Sequence, residues 1–226
     1  NGTVTDNMPS LIIEYEEETD IMPVRTYYTP SADTYIYQHE PNNKFNNQEL
    51  LSVNYTADVT RNDYWGQDAY LSFNIEDMTE EDRNNMGRAV LWIYVDENSD
   101  HRNSTRTINI SANDGLKYNA ENLTWSSSRM EGDVNISDIT VTGNGYEVKD
   151  TGWRQIDVTE FIGTATQANV EFILKMMSNQ EHPVKIRSME YPDISTRPKL
   201  IIESKDRIVD ISDNYMTEIV PNERIV

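Results

Sequence analysis

The amino-acid sequence predicts an all-β fold: an antiparallel two-sheet jelly-roll sandwich with one short helix and strand-like extensions at both ends. Short apolar runs recur along the chain and are separated by turn residues, the usual pattern of antiparallel strands. Within several runs, such as 69–75 and 89–95, every second residue is large and apolar, so that one face of the strand is apolar. So many short strands in a chain of 226 residues favour two packed sheets over one open sheet.

The predicted elements cover most of the chain. Strands are expected at 10–15, 34–38, 49–55, 69–75, 89–95, 105–112, 147–149, 154–158, 169–177, 184–189, 199–204 and 207–211. A short helix is expected after Thr79, a good N-cap, with acidic residues in its first turn and Gly87 at its end. The alternation places six side chains in the core: Leu71, Phe73, Leu91, Ile93, Phe172 and Leu174. The chain is therefore divided into an N-terminal extension (1–30), a jelly-roll module (31–205) and a C-terminal extension (206–226).

Charge and missing residue types exclude several classes of function. The chain has 39 acidic and 19 basic residues, a net charge of −20, so nucleic acid and anionic membranes are poor partners. Solubility and cation binding both remain open as explanations of this charge. There is no cysteine, and no apolar run is long enough for a membrane span. His39, His101 and His182 share no ligand spacing, and no nucleophile or phosphate-loop motif occurs, so we expect a non-enzymatic protein that requires no cofactor.

The order of the strand motifs resembles that of a known domain family. The shared pieces are ADTYI at 32–36, then 42–55, 69–75 and 89–95, LTW at 123–125, GWRQIDVT at 152–159, then 169–175, IRSME at 186–190 and RPKLIIE at 197–203. Over residues 32–204 the chain resembles the DNRLRE-type domain, which overlaps carbohydrate-binding module family 96. The resemblance implies a jelly-roll sandwich on exported bacterial or archaeal proteins, beside polysaccharide-active or adhesive modules, and implies no catalysis. It also implies that Trp125 and Trp153 are structural.

One strand sequence occurs twice. PSLIIE at 9–14 is similar to PKLIIE at 198–203, which the resemblance identifies as the closing strand of the module. Three interpretations remain open: coincidence, the tail of a preceding tandem module, and donor-strand exchange with a neighbouring subunit. In the third, Leu11, Ile12 and Ile13 are the assembly residues, because these side chains gain most from burial in another copy.

The sequence also contains acceptor motifs for N-linked glycans. The pattern N-x-[ST] occurs at Asn1 and, within the module, at Asn54, Asn103, Asn109, Asn122 and Asn135. Their placement in polar stretches and at strand ends predicts that several of the five module sites carry glycans, provided that the protein is exported.

Two further candidate sites have two interpretations each. The resemblance places Asp33 and Glu190 at positions where the family also has acids, and it implies that they meet within the sandwich, where they bind a structural calcium ion or accept hydrogen bonds from turn amides. Tyr64 and Trp65, in an expected loop at 62–66, form a sugar-stacking platform or plug the loop.

These observations predict a non-enzymatic, extracellular structural subunit at the cell surface. It self-assembles with other copies of itself into a filament, sheath or surface layer, and donor-strand exchange is one of the open interpretations of how the copies join. The alternative is a carbohydrate-binding module of a secreted polysaccharide-active or adhesive protein, with polysaccharide as its partner. Neither reading includes nucleic acid or membrane insertion.

Overall fold

The computed structural model describes residues 23–58, 63–96, 105–127, 134–142, 151–177 and 183–205. Within these ranges the elements are β1 (Arg25–Tyr28), β2 (Ala32–Tyr37), β3 (Leu50–Asp58), β4 (Asp63–Asn74), α1 (Glu80–Asn84), β5 (Met86–Val95), β6 (Thr105–Asp114), β7 (Val134–Thr142), β8 (Gly152–Asp157), α2 (Thr159–Thr164), β9 (Asn169–Met176), β10 (Val184–Arg187), a 3₁₀ helix (Ile194–Thr196) and β11 (Lys199–Ser204). The strands predicted at 10–15, 147–149 and 207–211 lie outside the described residues.

The strands form two antiparallel sheets that share β3. In sheet 1, β1 pairs with β11 and β11 with β5, while β8 lies on the other side of β5 and β10 joins β5 to β3. In sheet 2, β4 pairs with β2, β3 and β9, and β6 lies between β9 and β7. Residues 50–53 of β3 pair with β10, whereas residues 54–58 pair with β4, so one strand passes from the first sheet to the second. The predicted all-β antiparallel sandwich is confirmed.

The core lies between the two sheets and contains every side chain that the alternation placed there. The six predicted core residues have no exposed surface: Leu71, Phe73, Leu91, Ile93, Phe172 and Leu174. Phe172 makes edge-to-face contacts with two other rings, with centroid distances of 5.9 Å to Phe73 and 5.8 Å to Phe161. Edge-to-face contacts of this kind add to the free energy gained by burial.

Helix α1 begins where the sequence predicts but ends sooner. Thr79 is the N-cap, and its side chain and that of Asp82 form a reciprocal capping box. The helix ends at Asn84, and Gly87, the predicted terminator, lies in β5 instead. A Cβ at Gly87 would lie 3.1 Å from the backbone oxygen of Ser204, so glycine permits the close approach of β11.

Four elements were not predicted. The 3₁₀ helix has only three residues, too few to leave a pattern in the sequence. Helix α2 has only six residues, too few for a helical period to stand out, yet it buries Phe161 and Ile162 in the core. Strand β1 is mostly exposed and therefore has no apolar face to recognise. Strand β7 is defined by pairing with β6, a partner that local sequence does not reveal.

A second, smaller apolar cluster covers the outer face of sheet 2. Ile36, Tyr70 and Ile173 lie on neighbouring strands and are covered by Leu123 from the segment after β6. Trp125 packs against this cluster, with one ring carbon 3.4 Å from the position of a Cβ at Gly66. This cluster therefore covers part of the outer face of sheet 2. The outer face of sheet 1 carries a different set of side chains.

Candidate functional site

Three aromatic side chains meet on the outer face of sheet 1. Trp92 and Tyr94 point away from the core because their neighbours in β5, Leu91 and Ile93, point into it. Trp153 of β8 pairs directly with Tyr94, so both side chains lie on the same face. The Trp153 ring is 5.4 Å from that of Tyr94 and 5.5 Å from that of Trp92, both edge to face.

Two cationic side chains lie over these rings. Lys199 of β11 pairs with Trp92, and its Nζ is 4.5 Å from the Trp153 centroid and 5.5 Å from that of Trp92. The guanidinium carbon of Arg187 is 4.1 Å from the centroids of both Tyr94 and Tyr191. We call these six partly buried residues the aromatic patch: Trp92, Tyr94, Trp153, Arg187, Tyr191 and Lys199.

Hydrogen bonds to Asp96 and Thr196 fix the position of the Arg187 side chain. Its Nε donates to Oδ2 of Asp96 at 2.7 Å, and its Nη1 donates to Oγ1 of Thr196 at 2.8 Å. The Asp96 side chain has no exposed surface and that of Arg187 is 13 % exposed. Burial lowers the pKa of Arg187, but the hydrogen bond and charge of Asp96 more than offset this, and the net pKa is raised. The guanidinium therefore stays charged between its two rings.

This arrangement suits a flat, hydroxyl-rich ligand. Aromatic faces are electron-rich, and the C–H groups on one side of a sugar ring can pack on them. Cations and amides beside the rings offer donors to hydroxyl or carboxylate oxygens, and the exposed Gln155, paired with Trp92, adds an amide. None of the six residues of the patch is a serine, cysteine or threonine nucleophile beside a base.

Comparison with known families gives a match over nearly all of the described chain. The profile of Carbohydrate-binding module family 96 matches residues 24–204.

The chain belongs to carbohydrate-binding module family 96.

The match begins beside β1 and ends in β11, and it confirms the resemblance seen in the strand motifs. No curated protein matches the chain in sequence. No helix within the described ranges is both long and apolar enough to cross a membrane.

The structure brings the Asp33 and Glu190 carboxyl groups together. Asp33 lies in β2, and Glu190 lies in the turn after β10, which belongs to the other sheet. Oδ2 of Asp33 accepts a hydrogen bond from the Met189 amide at 2.7 Å, one of the two interpretations given above. Burial raises the pKa of Asp33 to about 8; the Met189 amide opposes the shift, and the neighbouring Glu190 carboxyl adds to it. Calcium binding by this pair stays a prediction.

The predicted glycosylation sites differ in their access to solvent. Asn122 and Asn135 are exposed, and Asn109 is partly buried, with its Nδ2 donating to Oδ1 of Asn135 at 2.6 Å. Asn54 is 1 % exposed, which disfavours it as an acceptor because an attached glycan has to reach solvent. Asn103 lies outside the described residues. Glycosylation of the family 96 module stays a prediction.

The remaining site predictions fall on a strand or on positions outside the described residues. The expected loop at 62–66 is wrong for Tyr64 and Trp65, which lie in β4 opposite Ala57 and Thr56. Their side chains lie outside the described part of the structure, as do Leu11, Ile12 and Ile13. The aromatic patch was missed, although the outward alternation of Trp92 and Tyr94 indicated an aromatic outer face; Trp153, interpreted as structural, lies at its centre.

Proposed function

We propose that this chain is a non-catalytic module that binds polysaccharide on the aromatic patch of sheet 1. Membership of carbohydrate-binding module family 96 supports binding of a carbohydrate. The single observation that carries the location is the position of Trp153, which contacts Trp92, Tyr94 and the Lys199 ammonium group. We also propose an extracellular location, because structural polysaccharides lie outside the cell.

The shape of the patch favours a chain over a single sugar. Its residues come from β5, β8, β10 and β11 and from the segment between the last two, so they cross the sheet instead of surrounding a pocket. A polysaccharide laid across these strands can contact several side chains at once, which compensates for the weak interaction of each sugar ring.

Replacing Trp153 by alanine is expected to weaken polysaccharide binding by about ten-fold or more, equivalent to about 1.4 kcal/mol. The change removes the ring that the two other aromatic side chains and Lys199 contact. Binding should be measured by isothermal titration calorimetry and affinity electrophoresis against neutral and acidic polysaccharides. Tyr55→Ala is the matched control, because Tyr55 is 37 % exposed and lies where β3 pairs with β4, in the other sheet.

Two results would contradict the proposal in different ways. If the unaltered chain binds no polysaccharide of either class, the function is wrong. If it binds and Trp153→Ala binds equally well while Tyr55→Ala binds less, the surface is wrong. Circular dichroism and the melting temperature of each variant separate loss of binding from loss of fold.

Self-assembly is the second candidate function, and its support is the repeated strand. The sequence repeated at 9–14 is that of β11, which lies inside sheet 1 between β1 and β5 and so suits pairing on both sides. On this proposal the chain polymerises and a variant lacking residues 1–20 stays monomeric, as judged by size-exclusion chromatography and electron microscopy. Polymers formed by the shortened variant would rule out this segment as the donor.

A further inference from the structure

The Asp33 carboxyl group points into the space between the two sheets. Asp33 pairs with Leu71 across β2 and β4, and Leu71 points into the core, so the two side chains share the inner face. The Asp33 side chain reaches the turn that follows β10, a strand of the opposite sheet, and is only 2 % exposed. This carboxyl group therefore links the sheets at the side of the sandwich where β2 and β10 approach each other.

Two carboxylate oxygens at this point have no hydrogen-bond partner among the residues that the structure describes. They are Oδ1 of Asp33 and Oε2 of Glu190, both buried. The two carboxyl groups are neighbours that a shared proton would join. When both are ionised, neither can donate to the other, which leaves two buried acceptors facing one another.

Among the residues that the structure describes, little positive charge lies near the two carboxylates to compensate their negative charge. Arg197 attracts the Asp33 carboxylate, but its Nε already donates to the backbone oxygen of Tyr191 at 2.7 Å. Among the other cations near this turn, Arg187 is paired with Asp96. Buried carboxylates persist in proteins when they are paired, protonated or bound to a metal ion. A net charge of −20 also raises the local concentration of cations around the chain.

We infer that Asp33 and Glu190 bind a divalent cation, calcium by preference, which fastens sheet 1 to sheet 2. Carboxylate oxygens are hard ligands, and calcium accepts irregular sets of them completed by carbonyl groups and water. The described residues contain no group of three or more His, Cys, Asp or Glu side chains suited to a metal. Two carboxylates predict a dissociation constant of about 10⁻⁴–10⁻³ M, the range of extracellular calcium modules.

The inference is tested by calcium titration of the purified chain at pH 8, with equilibrium dialysis and thermal unfolding as the two readouts. Calcium at about 100 times its dissociation constant should raise the melting temperature by several degrees, and EDTA should reverse the rise. Magnesium should give a smaller rise, because it requires a regular octahedral shell. Asp33→Asn and Glu190→Gln should each abolish the response and the bound calcium.

Two site variants and one control variant distinguish loss of the calcium site from loss of the fold. Asp33→Asn retains an oxygen acceptor for the Met189 amide, and Glu190→Gln alters a less buried side chain if the first variant fails to fold. Glu121→Gln removes one exposed carboxylate elsewhere and should respond to calcium like the unaltered chain. Absence of bound calcium at 10 mM, or an undiminished response in both site variants, would overturn the inference.

Discussion

Replacing Arg187 by methionine is expected to lower the free energy of unfolding by about 3–5 kcal/mol. The substitution leaves the Asp96 carboxylate, which has no exposed surface, without the Nε donor that now lies 2.7 Å away. It also removes the cation from between the rings of Tyr94 and Tyr191. Chemical denaturation at pH 7 measures the change, and a double variant that adds Asp96→Asn should regain part of the loss because no ionised carboxylate is then left buried.

The exposed pair formed by Arg25 and Glu203 provides a matched control. Its atoms are 2.8 Å apart, close to the distance in the buried pair, but the side chains are 50 % and 22 % exposed. Solvent weakens such a pair, so Arg25→Met should cost less than about 1 kcal/mol. If Arg187→Met and Arg25→Met lower the free energy of unfolding equally, burial does not determine how much the pair of Arg187 and Asp96 stabilises the protein.

Replacing Glu171 by glutamine is expected to stabilise the protein at pH 8 by about 1–3 kcal/mol and to have little effect below pH 4.5. Glu171 has no exposed surface, and burial raises its pKa to about 7, although the Nδ2 group of Asn113 donates to it at 3.2 Å and opposes the shift. The folded state therefore holds this proton more tightly than the unfolded chain. The neutral carboxyl group contributes to the free energy of unfolding. This contribution is fully present below the unfolded pKa of 4.5 and is lost as the pH rises through about 7.

Urea unfolding from pH 4 to pH 8 tests this prediction. The difference in midpoint between Glu171→Gln and the unaltered chain should grow with pH, since glutamine cannot ionise. Glu76→Gln changes an exposed glutamate in the same way and is the matched control for loss of one carboxylate. A Glu171→Gln difference of the same size at pH 4 and pH 8 would show that the buried charge plays no part.

Local pattern predicted the interior of this protein better than its surface sites. Alternation alone placed Leu91 and Ile93 in the core, and with them it fixed the outward direction of Trp92 and Tyr94. The aromatic patch additionally requires the register between β5 and β8, which brings Trp153 opposite Tyr94. Register depends on which strands pair and where each turn ends, information that is spread over the whole chain.

The carboxyl pair shows what a family resemblance adds. Asp33 and Met189 are 156 positions apart, and no local property of either segment predicts their contact. The order of the family's motifs placed the two acids in one module, and the structure shows that they meet. By contrast, the expected loop at Tyr64 and Trp65 rested on local composition alone, and pairing with β3 places that segment in a strand.

The pairing of β1 with β11 has a mechanical consequence. These strands run antiparallel with Arg25 opposite Glu203, so the chain enters and leaves the module at the same corner of sheet 1. Val24 and Ser204 exchange hydrogen bonds at this corner, with Ser204 nitrogen donating to Val24 oxygen at 2.9 Å and Val24 nitrogen donating to Ser204 Oγ at 2.9 Å. A tensile force applied through both ends would break the hydrogen bonds between β1 and β11 one after another, starting at this corner. It would not load all of these hydrogen bonds at once.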